Sequence, residues 1–227
     1  MDVRAVIFDL DGTLLDTLDD LHDAVNLSLE RRGYGGHDRD RYRIMVGNGM
    51  RRLVEQALPQ GARSDEEVES MVDEVNAYLA EHPVTKTVPY RGVPELLEAL
   101  ASKKIPMAIL SNKPNALTQK VVGLLLSPFP FAVVQGQMAG VPRKPDPEAA
   151  LLLARKMGSA PGETLFIGDS DVDMKTASAA GMVAVGAEWG FRGAKELEAA
   201  GARSILRAPL DLLSLLGEPG AGKAQRG

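Results

Sequence analysis

Short apolar runs rich in β-branched residues recur along this chain with helical stretches between them. That alternation constrains the fold more than any other feature. Residues 3–8 (Val-Arg-Ala-Val-Ile-Phe) form the first run, and 107–110, 132–134, 164–167 and 182–185 repeat it. Each suits a strand buried on both faces of a parallel sheet. Helical patterns over 95–100, 115–126, 147–157 and 174–180 separate them. Strand and helix in alternation predict an α/β fold with a mostly parallel sheet flanked by helices.

The alternation fails in one place. Between about Asp16 and His82 no strand-like run occurs. Leu18, Leu21, Val25 and Leu29 share one helical face, with Gly33 placed to end it. Met50, Leu53, Val54, Ala57 and Leu58 make a second stripe, and Val68, Met71, Val72, Val75, Tyr78 and Leu79 a third. Ser64 and Glu67 have capping-box spacing before the third. The pattern predicts a core domain of residues 1–15 and 83–216 carrying an inserted all-helical cap domain, 16–82, with the sheet resuming near Val88. Residues 217–227 are Gly-rich and polar and are expected to be disordered. Gly217, Gly222 and Lys223 there imitate a phosphate loop, but Ala224 replaces the needed Ser or Thr and no strand leads in.

Composition narrows the function classes. A chain of 227 residues is long enough for a real core without staples, and it contains no cysteine. Disulfides, thiolate catalysis and Cys-ligated metals are therefore excluded. A net charge of -5 disfavours nucleic-acid binding, which runs on clustered positive charge. No apolar run approaches the roughly 20 residues of a membrane helix, and the N-terminal run reaches Asp9 and Asp11 too soon for a signal peptide. The expectation is a soluble, cytoplasmic protein.

The chemistry gathers at the ends of the apolar runs. Asp9-Leu10-Asp11-Gly12-Thr13 closes the first. Residues two apart on a strand point the same way, so two carboxylates are presented together where α/β sheets hold ligands. A divalent cation relieves the repulsion between them. Ser111-Asn112 closes the second run, offering a hydroxyl and turn amides that could hold phosphate oxygens. Lys144 stands in Arg143-Lys144-Pro145-Asp146-Pro147, held on a rigid turn. Gly168-Asp169-Ser170-Asp171-Val172-Asp173 closes the fourth run and adds three acids for a metal site. Each cluster alone is ordinary turn or capping chemistry. Four of them in order at strand ends are not.

In these four motifs the chain resembles the haloacid dehalogenase-like superfamily of aspartyl-phosphate phosphohydrolases, over nearly all its length to about Leu216. The helical insert matches the position of that superfamily's first-type cap. Val46-Gly47-Asn48-Gly49, Ser111-Asn112-Lys113, Lys144-Pro145-Asp146-Pro147 and Trp189-Gly190-Phe191 look most like its bacterial phosphoglycolate phosphatase group. The resemblance implies a Rossmann-like core and a Mg²⁺-dependent phosphatase of a small phosphorylated metabolite such as 2-phosphoglycolate. It further implies that Asp9, ionised like an ordinary carboxylate of pKa about 3.9, attacks phosphorus and forms an acyl phosphate. Asp11 is then the acid and later the base. Asp9, the Asp11 carbonyl, Asp169 and, through a water, Asp173 hold Mg²⁺. Thr13, Ser111, the Asn112 amide and catalytic Lys144 serve the phosphoryl group.

Other substrates of the same family (nucleotides, sugar phosphates or pyrophosphate) are the alternative, as is a phosphosugar mutase. Such mutases resemble this architecture but carry a cap histidine and a fourth-motif glutamate where this chain has Leu21 and Gly168. A non-enzymatic receiver-type switch would be about half as long and lack the cap. Within the cap, Asn48 stands where an N-cap belongs, between Gly47 and Gly49. A helix N-terminus is an anion site, so this loop, helped by Arg51, is expected to receive the substrate's carboxylate. His22, His37 and His82 read as surface residues, and Trp189-Gly190-Phe191 as loop packing. A monomer or a homodimer is expected.

Overall fold

The computed structural model describes residues 2–216, and the C-terminal segment expected to be disordered, with its phosphate-loop-like string, lies outside them. Six parallel strands form the central sheet: β1 (Ala5–Phe8), β4 (Met107–Pro114), β5 (Phe131–Gln137), β6 (Thr164–Gly168), β7 (Val183–Ala187) and β8 (Ser204–Leu206). Their order is β5-β4-β1-β6-β7-β8. The chain builds outward from β1 to one side and then returns to build the other. The switch therefore falls beside β1, where open α/β sheets hold their ligands.

Alternation along β1 divides the core. Val6 and Phe8 face one apolar cluster, which also contains Leu96, Leu97 and Val121 from α5 (Val93–Ser102) and α6 (Asn115–Leu125). Ile7 faces the other, built with Leu153, Met174 and Leu197 from α7 (Glu148–Lys156), α8 (Asp171–Ala179) and α9 (Ala194–Ala199). All four β1 residues are buried, as a parallel strand covered on both faces requires.

The insert is helical: α1 (Leu18–Arg31), α2 (Arg39–Met45), α3 (Met50–Ala57) and α4 (Asp65–Glu81). Val25, Tyr42, Val54 and Val75, one from each helix, are fully buried, and their cluster is continuous through Leu14, Leu15 and Leu18 with the sheet face. Ser64 caps α4 by accepting from the Glu67 N–H at 3.2 Å.

Three details differ from the sequence expectation. The main sheet does not resume at Val88. Val88–Pro89 is β3, which pairs antiparallel with β2 (Leu15–Asp16) as a two-stranded neck where the chain enters and leaves the insert. Pro89 lacks the N–H that a central ladder needs. The short α2 buries only Tyr42 and Met45, too few for a periodic signal. The histidines are not all surface groups: His37 is partly buried, bonding the Ala57 carbonyl at 2.7 Å, and His22 lies edge-on to Tyr42. Among the described residues no helix is long and apolar enough to cross a membrane.

Candidate active site

Because β1, β4 and β6 are neighbours, their carboxyl ends bring three of the motifs together. Asp9 follows β1, and its N–H donates to the Ile167 carbonyl on β6 at 2.8 Å. The carboxylates of Asp9, Asp169 and Asp173 are buried, and one oxygen from each lies within 4.8 Å of the others. Lys144 reaches into this cluster, its Nζ 2.8 Å from Asp9 Oδ1 and 2.7 Å from Asp173 Oδ1. Asp173 also accepts from the Ser170 N–H and hydroxyl, so it caps α8 as well as facing the cluster.

Three carboxylates and one ammonium out of water make an unbalanced group. Burial first, then the charge of Asp173, pushes Asp9 up to about 7, with Lys144 pulling it back. The sequence expectation of an ordinary carboxylate is corrected by that burial. Burial, then Asp173 and Asp9, holds Asp169 well above the usual range. Burial alone would lower Lys144, but Asp173 and Asp9 outweigh it and hold the ammonium above the usual lysine range. The excess negative charge and the oxygen-only donor set fit a hard divalent cation.

Neighbouring residues fix the acids in place. Thr13, fully buried, donates its hydroxyl to Asp169 Oδ1 at 3.2 Å, and the Phe191 N–H donates to Asp169 Oδ2 at 2.8 Å. Thr13, expected as a substrate contact, holds a carboxylate of the acid cluster here. The Trp189 indole donates to the Thr13 carbonyl at 2.9 Å, so the loop read as packing supports the acid cluster. Gly12 turns the chain at φ +87°, and a Cβ there would lie 2.3 Å from Asp169 Oδ2.

Asp9, Asp11, Ser111 and Asn112 line a cleft between sheet edge and insert, with Lys113, Pro114, Leu21, Val46, Gly47, Gly49, Met50 and Leu53. Asp11 pairs with Lys113, Nζ to Oδ1 at 2.9 Å. Ser111 Oγ accepts from the Lys113 N–H at 3.2 Å. The Asn112 side chain donates to the carbonyls of Lys144, at 3.0 Å, and Gly47, at 3.2 Å, tying core to insert.

The cap loop departs from expectation. Gly49, not Asn48, is the N-cap of α3, and no side chain caps that helix. Gly47 and Gly49 line the cleft, whereas Asn48 and Arg51 are not among its lining residues. Arg51 faces the first turns of α4, pairing with Asp65 at 2.5 Å and with Glu69. Those acids are close in space and only distantly placed in sequence.

Sequence reasoning gave no role to two features of the site. Lys113 stands two residues after Ser111 on a strand end, the spacing that pairs Asp9 with Asp11, and that signal could have found it. Arg192 donates to the carbonyls of Ile44, at 2.8 Å, Val46, at 3.1 Å, and Arg43, gripping the end of α2. Arg43 donates in return to the Gly190 carbonyl at 3.1 Å. Nothing local in the sequence marks that pairing.

Residues 6–187 match the family model described as haloacid dehalogenase-like hydrolase, and the chain belongs to that family. It is an enzyme, of the phosphoric monoester hydrolase, phosphoglycolate phosphatase-like kind. The phosphoglycolate phosphatase of Aquifex aeolicus (strain VF5) is 34% identical over 190 residues, covering 83% of this chain and 86% of the relative. That of Escherichia coli (strain K12) is 30% identical over 237 residues, covering 96% and 94%. Among solved structures, a predicted phosphoglycolate phosphatase from Haemophilus somnus 129PT superposes with a TM-score of 0.86 at 26% identity, covering 95% of this chain and 98% of that one.

Proposed function

We propose that this enzyme is a Mg²⁺-dependent phosphatase that hydrolyses 2-phosphoglycolate through a phosphoaspartyl intermediate on Asp9. The observation that carries the proposal is the buried cluster of Asp9, Asp169 and Asp173, with Lys144 bridging Asp9 to Asp173 and with Asp9 lining the cleft beside Asp11.

Asp9 sits at the floor of the cleft, and its carboxylate attacks phosphorus as the bond to the leaving oxygen breaks. Asp11 gives that oxygen a proton as glycolate departs. Asp11 then takes a proton from the water that attacks the phosphorus of the acyl phosphate, releasing inorganic phosphate and restoring Asp9. Lys144, Ser111 and the Asn112 amide counter the charge on the phosphoryl oxygens. Asp9, Asp169, Asp173 and the Asp11 carbonyl would hold Mg²⁺, which supplies counter-charge to the carboxylates and phosphoryl oxygens when bound. Residues 16–82 act as the cap, bringing the backbone of Gly47 and Gly49 over the reacting groups.

Two positions support hydrolysis over phosphosugar transfer. Leu21 gives the cleft an apolar wall where a mutase-type cap histidine would stand. A Cβ at Gly168 would lie 2.2 Å from Asp173 Cγ, so the glutamate of such mutases does not fit this packing.

The test is phosphate release from a panel of 2-phosphoglycolate, nucleotides, sugar phosphates and pyrophosphate, with Mg²⁺ and then with EDTA. The expected result is the highest kcat/KM for 2-phosphoglycolate, abolished by EDTA and restored by Mg²⁺. A faster substrate elsewhere in the panel overturns the substrate, and activity that survives EDTA overturns the site.

A further inference from the structure

Resting on that reading, we propose that Lys113 receives the carboxylate of the substrate's leaving group and sets the enzyme's preference for short, acid-tailed phosphomonoesters. Four observations carry it. Lys113 lies at the carboxyl end of β4 and lines the cleft together with Ser111. Its side chain is 7% exposed, too enclosed for a solvated surface cation. It is the one cationic side chain among the described residues lining the cleft. Its ion pair is with Asp11, the group that faces the leaving oxygen.

The other basic groups nearby are committed elsewhere. Lys144 lies between Asp9 and Asp173. Arg51 pairs with Asp65 and Glu69 on the insert's outer surface. Arg192 and Arg43 bond backbone carbonyls across the junction. The insert's share of the lining, Leu21, Val46, Gly47, Gly49, Met50 and Leu53, carries no charge. A carboxylate placed against that wall without a partner would bear a large desolvation penalty. A sugar would find few side-chain partners for its hydroxyls there.

Chemical connectivity places the acid beside Lys113. In phosphoglycolate one methylene separates the ester oxygen from the carboxyl carbon. When Asp11 bonds the ester oxygen, the carboxylate lies one short step away, within reach of an ammonium 2.9 Å from Asp11. Lys113 therefore binds Asp11 in the free enzyme and is shared with the substrate carboxylate in the complex.

The test compares 2-phosphoglycolate with 2-hydroxyethyl phosphate, which has an alkyl leaving group of the same length and no carboxylate. Both are measured on wild type, Lys113→Met and Lys113→Arg, with folding checked by circular dichroism. Wild type is expected to favour 2-phosphoglycolate. Lys113→Met should lose about 10²-fold in kcat/KM on it, and only a few-fold on 2-hydroxyethyl phosphate. Lys113→Arg, which keeps the charge, should recover part of the preference. If Lys113→Met does not fold, Lys113→Gln, which keeps a donor for Asp11, carries the same comparison. Equal losses on the two esters would make Lys113 a support for Asp11 alone and overturn the proposal. So would a preference that survives the loss of charge, or one erased instead by Arg143→Met, an exposed residue whose guanidinium lies beside Gly49. A wild type without the preference overturns the 2-phosphoglycolate reading as well; a preference that outlasts Lys113→Met overturns this inference and leaves that reading standing.

Discussion

The floor and the far wall of the cleft are built on opposite terms. The floor is a set of buried ionisable groups, each held from more than one direction: Asp169 by Thr13 and Phe191, Asp173 by Ser170 and Lys144, and Lys144 by two acids. The wall is apolar, and it meets the floor largely through backbone carbonyls caught by Arg192, Arg43 and Asn112. Buried charges tolerate little displacement, because each must keep its partner. An apolar wall held by carbonyls can change its side chains without disturbing the acids beneath. On the function proposed above, the difference separates two jobs: the sheet edge does the chemistry, and the insert with the rim of β4 decides what reaches it.

That division can be broken first at the floor. Asp9→Asn keeps the shape and removes the attacking charge, so turnover should fall by at least about 10⁴-fold, to background, while the melting temperature stays near wild type. Near-normal phosphate release would end the covalent account. Asp11→Asn removes the proton donor and later base, a loss of about 10²–10⁴-fold. In single-turnover phosphorylation the loss should be smaller for p-nitrophenyl phosphate, whose leaving group needs little protonation. Identical losses for alkyl and nitrophenyl esters would deny Asp11 the role of acid. Thr13→Val removes a hydrogen bond to Asp169 and leaves the carboxylate. Mg²⁺ affinity should weaken by about 10-fold, read from the Mg²⁺ dependence of rate and by calorimetry, with excess Mg²⁺ restoring turnover. An unchanged Mg²⁺ affinity would make Thr13 a packing residue only.

The smallest effect belongs to the junction. Arg192→Met frees the end of α2, and each lost bond is worth about 1 kcal/mol. KM for 2-phosphoglycolate should rise several-fold with kcat little changed. A larger fall in kcat than rise in KM would show that the insert shares in the chemistry and that the division drawn here is wrong.

The sequence makes the floor legible for a physical reason. Parallel strands end at one edge, so Asp9, Asp11, Ser111 and Asp169, at or just beyond the ends of β1, β4 and β6, converge once the strands are recognised. Lys144 is legible only as a held cation; its seat between Asp9 and Asp173 is tertiary. The wall is far less legible. Helical stripes in the insert mark what is buried, and Leu21 and Leu53 look the same whether they face a neighbouring helix or the cleft. Arg51 reads as a free cation until α4 folds Asp65 and Glu69 against it. Asn48 has the chemistry of a cap, but the chain turns one residue later, at Gly49. Arg192 is distant in sequence from the carbonyls it grips.

The central claim is that Asp9 carries the phosphoryl group between the two half-reactions. The most direct measurement is acid quench of a single turnover with phosphate-labelled 2-phosphoglycolate, followed by mapping of the labelled peptide. The account predicts a transient acyl phosphate on Asp9 that forms before free phosphate, lasts longer in Asp11→Asn, and is absent from Asp9→Asn. Free phosphate appearing with no protein-bound label, or a label on any other residue, would contradict it.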